Sequence, residues 1–93
     1  MKPQKVTRET EFAERQKAMC DTIIERAAHM MVGEVGVTVP TMLDRMLTYC
    51  GAQACTIDGS KNTAEAFRTM ADRIEAGLFH PLTGEDLPSK DKH

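Results

Sequence analysis

Residues 38–55 read TVPTMLDRMLTYCGAQAC, and the fold turns on how this stretch is phased. Val39, Met42, Leu43, Met46, Leu47, Cys50 and Ala54 recur at the i, i+3, i+4, i+7 spacing of one helical face. Pro40 falls in the first turn, where a missing N–H costs no helical hydrogen bond. With about 100° between successive residues, the apolar arc reaches Tyr49 on one edge and Leu47 on the other, and Gly51 falls on the polar side. An arc that wide can meet two neighbours at once, so this stretch is expected to be the central helix of a small domain.

Upstream, a second pattern runs from about Thr10 to Met31. Phe12, Met19, Cys20, Ile23, Ala27, Met30 and Met31 share a stripe that also holds Gln16, with Ile24 and Met31 at its edge. Glu11, Glu14, Asp21, Glu25 and His29 lie opposite. Glu11–Arg15 and Lys17–Asp21 stand at i, i+4 and mark a solvated face, each pair worth about 0.2–0.5 kcal/mol. Thr7 or Thr10 can cap this helix through its hydroxyl. Gly33 and Gly36 are expected to end it, because each costs about 1 kcal/mol relative to alanine in a helix. Val35, Val37 and Val39 alternate across the gap; with no partner strand they read as an extended connector.

Downstream, 56–61 reads as a turn around Asp58-Gly59. Asn62 with Glu65 three residues on resembles a capping box, and a third helix is expected from there to about Ala76. Its buried stripe would be Ala64, Phe67, Met70, Ala71 and Ile74. Gly77 suits a left-handed C′ position, with Leu78 folding back on the last turn and Phe79 closing the end of the core. Residues 80–84 are rich in turn formers. The expected architecture is all-α: a three-helix bundle with an extended Gly/Val connector and a disordered C-terminal tail. Its divisions are a flexible N-terminal arm at 1–9, a single helical domain at 10–84 and the tail at 85–93.

The 93 residues suffice for one domain. Three Phe, one Tyr and no Trp leave seven Met to carry much of the apolar load, and methionine serves both cores and binding faces. A net charge of −2 with mixed signs lacks the basic stripe of a nucleic-acid or anionic-membrane binder. No run approaches the roughly 18 apolar residues of a membrane span. The opening MKPQKVTRETEF has no apolar core and does not read as a secretory signal. Three cysteines without framework spacing read as reduced thiols in a cytoplasmic protein.

No chemistry-bearing motif stands out. Cys50 and Cys55 are wrongly spaced for a zinc site; Cys50 is expected on the buried face and Cys55 on the polar side. His29, His80 and His93 are scattered, and no metal or cofactor is expected. Carboxylate pairs such as Glu11/Glu14 and Asp72/Glu75 are interleaved with Arg15, Arg68 and Arg73, which suits a solvated face better than a catalytic dyad. Phosphate-loop, HExxH and GxSxG signatures are lacking, so no enzyme is expected.

The expected function is therefore a small non-catalytic protein–protein interaction module of regulator, adaptor or inhibitor type, self-associating as a homodimer. In a three-helix packing, Ile24 and Met31 of the first helix, and Met42, Tyr49 and Gln53 of the central one, are left at the edges of their arcs. Those five residues are the expected interaction surface. The alternative is a DNA-binding regulator in which helices two and three form a helix-turn-helix-like pair, with Lys2, Lys5 and Arg8 as a basic arm.

Overall fold

The computed structural model describes residues 7–86, and over them the chain is all-α. The three expected long helices are α1 (Arg8–Met30), α2 (Val39–Asp58) and α3 (Ser60–Glu75), followed by the short α4 (His80–Thr83). The expected disordered tail, apart from Glu85 and Asp86, lies outside the described residues, as does most of the N-terminal arm. Two compact units divide the chain, one ending at Leu47 and the other beginning at Thr48, so the boundary falls inside α2.

In the first unit, Thr7 rather than Thr10, the other expected candidate, caps α1, its hydroxyl accepting from the Thr10 N–H at 3.0 Å. The helix does not stop at Gly33. A π-helical turn over Met31–Val35 carries the chain on, and only Gly36, at φ 87°, breaks it. The Gly36 and Val37 N–H groups both close onto the Met31 carbonyl, at 3.0 and 3.2 Å. The non-helical connector is thus Gly36–Thr38, shorter than the alternating valines suggest. Thr38 then caps α2, its Oγ1 accepting from the Thr41 N–H at 3.2 Å. Ala27, Ala28, Met31, Val32, Val37 and Met46 are half-buried, and Met42, only 8% exposed, is the one buried apolar side chain among the described residues.

In the second unit, α2 runs on to Asp58, and the expected six-residue turn shrinks to Gly59 alone. Gly59 sits at φ 89° and ψ 155°, a region only glycine tolerates, so one residue suffices to redirect the chain. Consequently α3 begins at Ser60, two residues ahead of the expected start. Asn62 is no N-cap: its amide donates to the Asp58 carbonyl at 3.2 Å, serving the end of α2 instead. The C-terminus of α3 does follow the expected pattern. Gly77, at φ 109°, lets Leu78 N–H reach the Arg73 carbonyl at 2.9 Å and its own N–H reach Ile74 at 3.1 Å. Those two bonds make a complete Schellman motif. Residues 80–83 form a helical turn where only turn formers were expected.

Gly51, expected on the polar side of the central helix, is half-buried. A Cβ added there would lie 3.8 Å from the Phe67 ring, so the glycine faces α3. Thr63 is 6% exposed, and its hydroxyl has no hydrogen-bond partner.

Candidate interaction surface

The apolar stripes exist where the periodicity places them, but most are uncovered. In the first unit, Phe12, Met19 and Ile23 of α1 are 58%, 62% and 63% exposed, and no residue of that helix is buried. Along the back of α1, the expected Glu11–Arg15 and Lys17–Asp21 pairs are not formed. Lys17 instead meets Glu14 at 3.2 Å, one turn back, with both side chains largely in water. In this geometry the pair contributes between nothing and about 1 kcal/mol.

The five residues singled out from the sequence divide between the units. In the first, Ile24 is exposed, Met31 half-buried and Met42 buried. Met42, expected on the interaction surface, is thus covered, while its neighbour Leu43, expected in the core, is exposed. In the second unit, Tyr49 is 66% exposed and Gln53 is also exposed. The larger finding there concerns α3 and the segment after it. Phe67, Met70, Ile74 and Phe79, all expected in a core, remain exposed, Phe79 included at the position where it was to close the core; Leu78, expected to fold back on the last turn of α3, is exposed too. An amphipathic pattern shows which face wants cover but not whether the same chain supplies it, so spacing alone points these residues at a core.

The thiols reverse the expected order. Cys50, phased onto the apolar face, is exposed, and Cys55 is half-buried. All three cysteines are free. Among the described residues, no three His, Cys, Asp or Glu side chains gather into a possible metal site. Within the same residues no helix is long and apolar enough to cross a membrane. No protein-family model, curated protein or solved structure matches the chain.

Proposed function

We propose that the chain is a non-catalytic, cytoplasmic protein–protein interaction module whose first partner is a second copy of itself. The observation that carries this reading is exposed apolar surface on every long helix. Among the described residues Met42 alone of the large apolar side chains is buried, while Ile57 is 82% exposed. A chain that left these stripes in water would gain too little from burial to offset the entropy of ordering its helices.

A DNA-binding role is the weaker reading. A helix-turn-helix uses a turn of three or four residues, whereas Gly59 alone joins α2 to α3. On α3, Lys61, Arg68 and Arg73 are matched by Glu65, Asp72 and Glu75, which leaves no net charge to hold phosphates.

Light scattering of the purified chain at micromolar concentration tests the proposal. The expected mass is twice the 10.3 kDa of one chain. A single-chain mass at tens of micromolar would remove it.

A further inference from the structure

We propose that α3 is the helix on which the second copy docks, as an antiparallel helix pair closed by a two-fold axis near Met70 and Ala71. This rests on the self-association reading and adds the surface and its geometry. Cover of the α3 stripe ends early. Thr63 is buried and Ala64 half-buried, but Phe67, Met70 and Ile74 are 41%, 45% and 47% exposed. A two-fold axis near residue 70 sets Phe67 of one copy against Ile74 of the other, and each methionine beside the other copy's Ala71.

Charge order along one edge of this stripe selects the partner. Glu75, Arg68, Lys61 and Asp72 fall about 80–140° round the helix from Phe67. In sequence order the bases come first and the acids second: Lys61, Arg68, then Asp72, Glu75. Among the described residues none of the four is in an ion pair. An antiparallel two-fold pair brings like edges together with their directions reversed. The basic half of one copy therefore meets the acidic half of the other, twice over, with Arg68 opposite Asp72 and Glu75. A parallel pair would set the same edge against Asn62, Ala66 and Arg73, giving Arg68 no carboxylate. Closed two-fold dimers use one self-complementary patch in this way, and charge complementarity of this kind fixes register and rejects wrong pairings.

The test is charge reversal with rescue, read as the dimer dissociation constant by sedimentation. Arg68→Glu places three acids together at each end of the pair. Asp72→Lys with Glu75→Lys places three bases there. Each variant alone is expected to dimerise at least about tenfold more weakly than the natural chain, since juxtaposed like charges oppose association. An equimolar mixture restores opposite charges at both ends and is expected to form a heterodimer near natural affinity. Circular dichroism checks that each variant is helical; Arg68→Ala, which introduces no repulsion, is expected to weaken the dimer about threefold and replaces any reversed chain that unfolds. Variants that dimerise as well as the natural chain, or a mixture no tighter than its components, would overturn the α3 geometry and leave self-association standing. A monomeric natural chain would remove both.

Discussion

At the scale of single residues, exposure rather than residue type decides behaviour. Cys50 has the sequence environment of a core cysteine, flanked at helical spacing by Met46, Leu47 and Ala54, yet it stands in water. Cys55, at the polar end of the same helix, is partly covered. Thiol modification requires access as well as thiolate character. Cys20 and Cys50 lie on the α1 and α2 stripes that the proposed second copy would cover, so a mild thiol reagent should label them more slowly as the protein concentration rises through the dimer range, as peptide mapping after brief exposure would show. A Cys50 rate independent of concentration would mean that this face of α2 stays in water in the dimer. Thr63 shows the opposite condition. Its buried hydroxyl lacks a partner, and such a group costs about 1–3 kcal/mol.

At the scale of the elements, helix ends follow backbone stereochemistry more closely than side-chain signatures. Three ends are legible in the sequence: Thr7, one of two candidate caps, at the start of α1, Pro40 in the first turn of α2, and Gly77 at the end of α3. Each depends on a group acting within three or four residues, which a sequence displays directly. The start of α3 is not legible, because Asn62 with Glu65 imitates a capping box while Gly59 can adopt a conformation that needs no side-chain cap. Nor is the end of α1, because a π turn can absorb Gly33 at little cost when the following Gly36 supplies the left-handed stop. These assignments separate two substitutions. Thr38→Ala removes a cap that accepts a backbone N–H and should cost about 1 kcal/mol in urea denaturation. Asn62→Ala removes only a long side-chain bond to the exposed end of α2 and should cost less than about 0.5 kcal/mol. The reverse order would return the α3 start to Asn62.

At the scale of the whole molecule, the all-α class and the number of long helices are legible because both follow from periodicity. Where the apolar faces find cover is not. Phe12, Ile23, Phe67 and Ile74 carry the same spacing whether they meet a neighbour in their own chain or in another copy. Among the five residues expected at an interface, Ile24, Tyr49 and Gln53 are exposed and Met42 is buried. Edges of an arc are not distinguished from its centre by spacing when most of the arc is uncovered. In the proposed dimer a second copy covers the exposed stripes of α1, α2 and α3, which makes folding and association one process. Stability then depends on concentration by mass action. Thermal unfolding of the natural chain, followed by circular dichroism across a hundredfold range of protein concentration, tests this most directly. The account predicts a midpoint that rises by about 5–10 °C from the lowest concentration to the highest. A midpoint that does not move would contradict it, because a chain that covers its own apolar faces unfolds independently of its copies.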